Sequence, residues 1–212
     1  MRFADRAEAA RLLAGRLGHY RGRNPLVLGV PRGGVPMARI IAERLGGEVD
    51  VVLVRKLRAP GQPELAIGAV DEHGTVLRGG YYDVADDEYI REEVRTRQEI
   101  LRRHRELYAR AHPPIDPAGR IVIVVDDGVA TGSSMLAALA SVRARRPARL
   151  VVAVGVAPPE TVGRLEEAAD EVVCLDTPAE FMAVGQFFGE FPEVSDDEVI
   201  EALSAAGPRA AR

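Results

Sequence analysis

Between residues 24 and 178 the chain alternates short apolar runs with segments of helical periodicity. The apolar runs are rich in β-branched residues, as expected of strands covered on both faces of a sheet. The strands are predicted at 24–34, 49–57, 119–127, 149–157 and 171–178. This order predicts an α/β fold with a mainly parallel, twisted sheet and helices on both faces. In such sheets, ligands bind beyond the carboxyl ends of the strands.

The intervening segments are assigned by their periodicity and by their Gly and Pro residues. Helices are predicted at 3–18, 36–45, 86–110, 134–145 and 159–169. Residues 57–64 contain Pro and Gly and are predicted to form a loop, whereas 66–77 is predicted to form two strands joined at 72–74. We expect a single domain over 1–212, with its core at about 20–178 and a small hood at about 178–205, to which the helix 3–18 could contribute. The last ten or so residues are expected to fray.

Composition excludes several classes of protein. The chain is 47% apolar and 28% charged, and it has no apolar run long enough for a membrane span. The single cysteine, Cys174, excludes an intrachain disulfide. The first residues include acidic side chains and no apolar core of a signal peptide, so we expect a cytoplasmic protein. A net charge of −4 gives no general attraction to nucleic acid, which is therefore not an expected partner.

The most informative stretch is VIVVDDGVATGSS, residues 122–134. A buried-looking strand ends on Asp126 and Asp127 and then passes through a loop of small residues into a helix. Backbone N–H groups at a helix start are unpaired and, together with hydroxyl groups in this loop, make a cradle for an anion. Because no Lys or Arg occurs between 121 and 142, the cradle suits a terminal phosphate monoester. The two carboxylates would repel that phosphate unless they face ribose hydroxyls or a Mg²⁺-bound sugar.

Two other interpretations apply to this stretch. A receiver-type acidic pocket would require acidic residues from several strand ends. A plain strand–turn–helix with surface acids would leave the ordered combination of acid pair and small-residue loop unexplained.

The ordered pattern resembles the ribose-phosphate signature of the type I phosphoribosyltransferases, over about residues 24–178. The resemblance implies binding of phosphoribosyl pyrophosphate (PRPP) with Mg²⁺, and transfer of the 5-phosphoribosyl group to a nitrogen nucleophile, such as a nucleobase, with release of pyrophosphate. Asp126 and Asp127 would then hold the ribose hydroxyls, directly or through Mg²⁺. The 5′-phosphate would lie on Gly128, Val129, Ala130, Thr131, Gly132, Ser133 and Ser134.

A second loop, Pro31, Arg32, Gly33 and Gly34, falls where this family keeps its pyrophosphate loop. Arg32 would supply charge, and the glycines would permit an unusual backbone, with a cis peptide as a hypothesis.

Lys56 is the single lysine among 28 basic residues. A compact ammonium and a guanidinium are not interchangeable, so we consider a functional role for Lys56 beside a merely compositional origin of the arginines. Arg55 and Lys56 resemble a basic pair that some family members use against pyrophosphate. Residues 57–65 would be the flap that closes over PRPP, although this loop is shorter than many family flaps.

The acceptor stays unassigned. Where 6-oxopurine enzymes of the family place an Asp in the phosphate loop, this chain has Ala130. Glu64 is a candidate acid/base, with a surface carboxylate as the alternative. In the predicted hood, Phe181, Gln186 and Phe187 are candidate acceptor contacts, with packing onto the body as the alternative.

Two functions follow from these observations. The first is a Mg²⁺-dependent phosphoribosyltransferase with PRPP and an unidentified acceptor as partners. The alternative is a non-catalytic protein that senses PRPP or a nucleotide through the same loops. A homodimer is a further expectation, because the long helix 86–110 offers a free edge. The four histidines receive no role.

Overall fold

The computed structural model describes residues 2–111 and 113–204, excluding the side chains of Pro63 and Glu64. The expected fraying of the last residues falls on 205–212, outside the described residues. Strands are numbered in chain order: β1 (Leu26–Gly29), β2 (Glu48–Val51), β3 (Val54–Ala59), β4 (Gln62–Asp71), β5 (Val76–Arg78), β6 (Ile121–Gly128), β7 (Arg149–Val156) and β8 (Glu171–Asp176). The α-helices are α1 (Arg6–Arg16), α2 (Gly34–Leu45), α3 (Asp87–Tyr108), α4 (Ser133–Ala144), α5 (Pro159–Ala168) and α6 (Asp196–Ser204).

Five strands form the main sheet, in the order β2-β1-β6-β7-β8, and every neighbouring pair is parallel. Alternate residues of the central strands enter two separate cores. Val122 and Val124 of β6 pack in the core beneath α4 and α5, whereas Ile123 and Val125 pack in the core that contains α1 and α2. The predicted α/β fold, with helices on both faces of a parallel sheet, is confirmed.

The predicted strand 49–57 is wrong as one unit. Only its first part, β2, joins the parallel sheet, and the chain then leaves that sheet to form β3. Leu57 and Ala59 of β3 are buried, while Lys56 and Arg58, which alternate with them, are exposed. This is the alternation of a strand with one solvated face, and it marks where the doubly covered strand ends.

The predicted loop 57–64 is also wrong, because β3 and β4 form an antiparallel hairpin through it. Pro60 and Gly61 make its turn, with Gly61 at φ +67°. A Pro-Gly pair is suited to a tight turn, since proline presets its own φ and glycine accepts a positive one. The expected pair of strands within 66–77 is confirmed, and β5 completes a three-stranded sheet outside the main one.

The helices begin where short acidic side chains can cap them. Asp5 accepts a hydrogen bond from Glu8 N at 2.7 Å, so α1 begins at Arg6 rather than at residue 3. Asp86 caps α3 in the same way through Tyr89 N. A side-chain cap satisfies one of the unpaired N–H groups of the first turn, which sets the start of the helix.

The segment after β8 packs against the N-terminal segment. Phe3 N donates to Phe187 O at 2.8 Å, and Gly189 N donates to Phe3 O at 2.7 Å. Phe3 and Phe188 are buried with their ring centroids 5.2 Å apart. We refer to residues 178–204 as the hood, and both ends of the described chain therefore meet there.

None of the helices in the described residues is long and apolar enough to cross a lipid bilayer.

The centre of the main sheet determines where the loops emerge. β1 pairs with β2 on one side and with β6 on the other. β2 follows β1 toward one edge of the sheet, whereas β7 and β8 follow β6 toward the other edge, so the strand order reverses between β1 and β6. Gly29 at the end of β1 is the partner of Val125 near the end of β6, and Val30 N continues the ladder to Val125 O at 2.9 Å. The loops after β1 and β6 therefore leave from the same edge, at the switch point where ligands bind in open α/β sheets.

Gly34, the first residue of α2, should tolerate no larger side chain. A Cβ atom at this position would lie 2.4 Å from the carbonyl oxygen of Val125, a backbone atom that cannot rotate away. We expect Gly34→Ala to lower the free energy of unfolding by about 1–3 kcal/mol, as overpacking does elsewhere. Urea unfolding followed by circular dichroism measures the change.

The matched control is Gly15→Ala in α1, where a Cβ would meet nothing within 4 Å. Alanine favours a helix over glycine, so this variant should be as stable as the wild type or more so. Equal stability of Gly34→Ala and the wild type would contradict the close approach of α2 to β6.

Candidate functional site

Residues 30–34, between β1 and α2, lie directly against the end of β6. The peptide bond between Pro31 and Arg32 is cis, which confirms that hypothesis. Gly33 has an ordinary helical backbone, at φ −60° and ψ −34°. Its small size is needed instead because a Cβ would lie 2.2 Å from Asp127 Oδ2. Gly33 is thus needed for the close approach of Asp127. The expected unusual backbone is instead the cis peptide between Pro31 and Arg32.

Residues 128–134 form the loop between β6 and α4, which we call the phosphate loop. Gly132 precedes α4 in a left-handed conformation, at φ +80°, and no side chain caps this helix. Within the described residues, none of the backbone N–H groups of 130–135 donates a hydrogen bond. Such a run of unpaired donors at the positive end of a helix makes an anion site of the predicted kind.

Helix α5 holds the phosphate loop through its carbonyl groups. Thr161 Oγ1 donates to Ala130 O at 2.6 Å, and Arg164 donates to Thr131 O at 2.9 Å. With the carbonyls held toward α5, the amides of the same peptides point away from it. These contacts of Thr161 and Arg164 were not predicted, since nothing in the local sequence pattern links α5 to a loop about 30 residues earlier.

The acid pair ends β6 in two different environments. Asp127 is buried, and its Oδ2 accepts a hydrogen bond from Arg6 Nε at 2.8 Å. Asp126 is half-buried and has no ion-pair partner among the described residues. Loss of hydration and the neighbouring Asp127 raise the pKa of Asp126 well above its ordinary value. Arg6 was missed by the sequence analysis, since α1 precedes the acid pair by some 120 residues.

A cleft of about 690 Å³ opens beside these loops. It is bounded by residues 30–32, by β3, by α3, by Ser134 of the phosphate loop and by Asp196 of the hood. Its basic lining residues outnumber its acidic ones, and they are Arg32, Arg55, Lys56, Arg58 and Arg97. Such an excess of positive charge in a concave site attracts polyanions. The structure thus brings the predicted residues Arg32, Arg55 and Lys56 to one cleft.

One end of the cleft contains a histidine to which the sequence analysis gave no role. Arg55 Nη2 lies 3.4 Å from His104 Nδ1, and the His104 ring stacks on Tyr108. Burial and the nearby Arg55 lower the pKa of His104, which favours the neutral ring. Tyr108 in turn donates to Asp196 Oδ1 at 2.6 Å. The spacing of His104 and Tyr108, one helical turn apart, was the available sequence signal.

The hairpin β3–β4, which contains most of the predicted flap 57–65, is braced by α3. Glu93 Oε1 accepts from Arg58 N at 3.0 Å and from Arg97 Nε at 2.8 Å. Tyr89 donates its hydroxyl to Arg58 O at 3.1 Å. Further along α3, Arg105 forms an ion pair with Glu72 at 2.6 Å. The hairpin is therefore a wall of the cleft, joined to α3 at both ends.

Three predicted acceptor residues do not line this cleft. Phe187 is buried in the core and stacks with Phe181 at 5.5 Å between ring centroids. Gln186 makes two long contacts within the hood, to Ala183 N and Glu180 O. Packing onto the body thus accounts for the two phenylalanines, whereas Gln186 is exposed, and a role of these residues toward the acceptor stays a prediction. Glu64 lies in β4, but its side chain is outside the described residues, so its acid/base role stays a prediction.

Three known proteins are similar to this chain over more than half of its length. The protein TT1426 from Thermus thermophilus superimposes with a TM-score of 0.88 and 48% identity, covering 98% of this chain and all of that one. The Mycobacterium tuberculosis protein Rv0571c, provisionally named a phosphoribosyl transferase, is 44% identical over 211 residues. These residues are 96% of this chain but 47% of Rv0571c, so the chain spans about half of that relative. The bifunctional protein PyrR of Chloroflexus aurantiacus is 35% identical over 124 residues, 57% of this chain and 63% of PyrR.

The family model of the phosphoribosyl transferase domain matches residues 4–186, a range that contains the phosphate loop, the acid pair, residues 30–34 and the five basic residues of the cleft. On this match and on the relatives that share nearly its whole length, the chain belongs to the phosphoribosyl transferase domain family, as its sequence predicted.

Proposed function

We propose that this chain binds PRPP and transfers its 5-phosphoribosyl group to a nitrogen nucleophile, with release of pyrophosphate. The observation that carries this proposal is the meeting of three features at one sheet edge. They are a phosphate loop with unpaired amides, an acid pair and a cleft with five basic side chains. A ligand with a phosphate, a vicinal diol and a diphosphate matches all three.

Each part of PRPP has a place in this proposal. The 5′-phosphate accepts hydrogen bonds from the amides and hydroxyls of the phosphate loop. The ribose hydroxyls face Asp126 and Asp127. The diphosphate lies between residues 31–34 and the basic pair Arg55 and Lys56, with Arg32 beside it.

The carboxylates at this sheet edge are the side chains that could hold Mg²⁺. Among the described residues, no group of three or more His, Cys, Asp or Glu side chains could hold a metal ion by itself. Mg²⁺ is commonly held by one or two carboxylates together with substrate phosphates, and Asp126 is a carboxylate that forms no ion pair within the described residues. The residues thus fit an ion carried on the diphosphate, which when bound would neutralise charge on the leaving group. Direct ligation by Asp127 stays a prediction, one that its ion pair with Arg6 disfavours.

In the proposed reaction, the bond between C1′ and the diphosphate oxygen breaks and a bond between C1′ and the acceptor nitrogen forms. Arg32 and Lys56 stabilise the negative charge that develops on the leaving group. Asp126 stabilises the positive charge that develops on the ribose. The walls formed by the hairpin and α3 limit the access of water, which would otherwise compete as the nucleophile. The acceptor's proton needs a base, for which Glu64 stays the candidate.

The first test is isothermal titration of PRPP with and without Mg²⁺. We expect binding by the wild type that is strengthened by Mg²⁺. In Asp126→Asn it should be weakened roughly tenfold or more, since a carboxylate contact to a ligand contributes about 1.5–3 kcal/mol. The matched control is Asp116→Asn, an exposed carboxylate paired with Arg145.

No binding of PRPP by the wild type would contradict the proposed function. If the wild type binds PRPP but releases pyrophosphate with none of the acceptors in a panel of nucleobases and amines, the alternative of a PRPP-sensing protein is favoured.

The Asp126→Asn variant should also be more stable than the wild type at neutral pH. A carboxyl group whose pKa is raised in the folded state destabilises the fold once the pH exceeds its unfolded value, about 3.9. Asparagine keeps an oxygen that can accept from Asp127 N and removes this penalty. Asp126→Asn should therefore melt higher than the wild type at pH 8, with the difference shrinking toward zero below about pH 4. A lower melting temperature at both pH values would refute the raised pKa.

Inorganic pyrophosphate tests the other half of the site. Arg32→Gln and Lys56→Gln should each weaken its binding roughly tenfold, because each removes a charge-assisted contact. Arg95→Gln is the matched control, since Arg95 is exposed on α3 and pairs with Glu92 outside the cleft. Unchanged affinity in both cleft variants would place the diphosphate elsewhere.

A further inference from the structure

Arg6, the first residue of α1, connects three parts of the molecule. Its Nε donates to Asp127 Oδ2 at 2.8 Å, and its Nη1 donates to the carbonyl oxygen of Pro192 in the hood at 2.6 Å. Its guanidinium also lies over the ring of Phe191, 3.8 Å from the centroid. Helix α1, the hood and the acid pair therefore converge on one side chain.

The position of Arg6 is closely determined. The Arg6 and Asp127 side chains are only 14% and 12% exposed, so little water can replace either partner. A Cβ on Gly33 would lie 3.1 Å from Arg6 Nε, which places residues 30–34 against the same ion pair. A guanidinium can bond in two directions and stack at once, whereas an ammonium presents no such planar fork.

Removal of one partner from a buried ion pair leaves the other charge uncompensated. Without Arg6, Asp127 would lie beside Asp126 with no cation in contact and would seek another orientation. The other side-chain hydrogen bond of Asp127 is local, since its Oδ1 accepts from the adjacent Gly128 N. Arg6 is thus the one side chain outside the β6 segment that, within the described residues, hydrogen-bonds to the acid pair.

We infer that Arg6 is a positioning residue for the ribose subsite, which orients Asp127 and couples the acid pair to the hood. This inference rests on the proposed function. Arg6 does not touch the ligand in this scheme and acts through Asp127. The rival explanation is a purely structural contact that joins α1 to the hood.

Ligands with and without ribose separate these explanations. We would titrate ribose 5-phosphate and inorganic pyrophosphate into the wild type, Arg6→Gln, Arg6→Lys and the control Arg11→Gln, an exposed position on the same helix. For Arg6→Gln we expect ribose 5-phosphate to bind roughly 10–100-fold more weakly, as is typical when the partner that orients a ligating group is lost. Pyrophosphate binding should change less than about twofold, and Arg6→Lys should recover part of the loss.

A double-mutant cycle then tests the route. If Arg6 acts through Asp127, the variant that combines Arg6→Gln with Asp127→Asn should bind ribose 5-phosphate no more weakly than Asp127→Asn alone. Additive losses would overturn the inference. So would equal weakening of both ligands with a lowered melting temperature, which is the result expected of a structural contact.

Ribose 5-phosphate binding by the wild type distinguishes failure of the inference about Arg6 from failure of the proposed function. Ribose 5-phosphate binding by the wild type, unchanged in Arg6→Gln, would overturn the role of Arg6 and leave the proposed function intact. No binding by the wild type would overturn both.

Discussion

The parallel pairing of β1 with β6 is the interaction on which the site depends. Gly29, the last residue of β1, is the ladder partner of Val125 in β6, and α2 begins in contact with the Val125 carbonyl because Gly34 has no side chain. Two loops that are almost a hundred residues apart in sequence therefore start from adjacent points. If either strand were one position out of register, its side chains would exchange cores and its loop would leave at a different height.

Charge is divided at this edge in a way that suits a ligand with chemically distinct parts. The phosphate loop offers neutral amides at the start of α4, and the cleft offers five cationic side chains. The acid pair lies at the end of β6, directly before the phosphate loop, and its carboxylates repel phosphate groups. In the proposed function this division of charge orients the ligand, because only a neutral, hydroxyl-bearing segment can face the carboxylates.

The walls of the cleft are built from polar contacts as much as from apolar packing. Glu93 is nearly buried, and it bonds both the backbone of the hairpin and Arg97 of its own helix. Asp50 and Glu72 both contact Arg105, again joining α3 to other parts of the fold. Buried polar groups that are satisfied in this way hold backbone segments in one arrangement, since any slip leaves a charge without a partner. These contacts fix the position of the hairpin against α3.

Sequence reasoning was most successful where a property is local. The parallel strands, the glycines beside them, the acid pair and the phosphate loop were all predicted, because apolar periodicity and small-residue loops depend on neighbouring residues. The length of the second strand and the nature of residues 57–64 were not. There the choice between loop and hairpin depended on α3, whose Glu93 and Tyr89 lie about 30 residues further along the chain.

The same distinction holds for the site. The sequence by itself determined the family, the edge of the sheet and the residue types that the proposed function assigns to a sugar phosphate. The tertiary structure alone decided that Arg6 reaches Asp127, that Thr161 holds the phosphate loop, that His104 faces Arg55 and that the hood phenylalanines pack inward. Each of these contacts joins segments that are distant in sequence. Their energies come from burial and ion pairing that exist only after the chain has folded, so no local pattern records them.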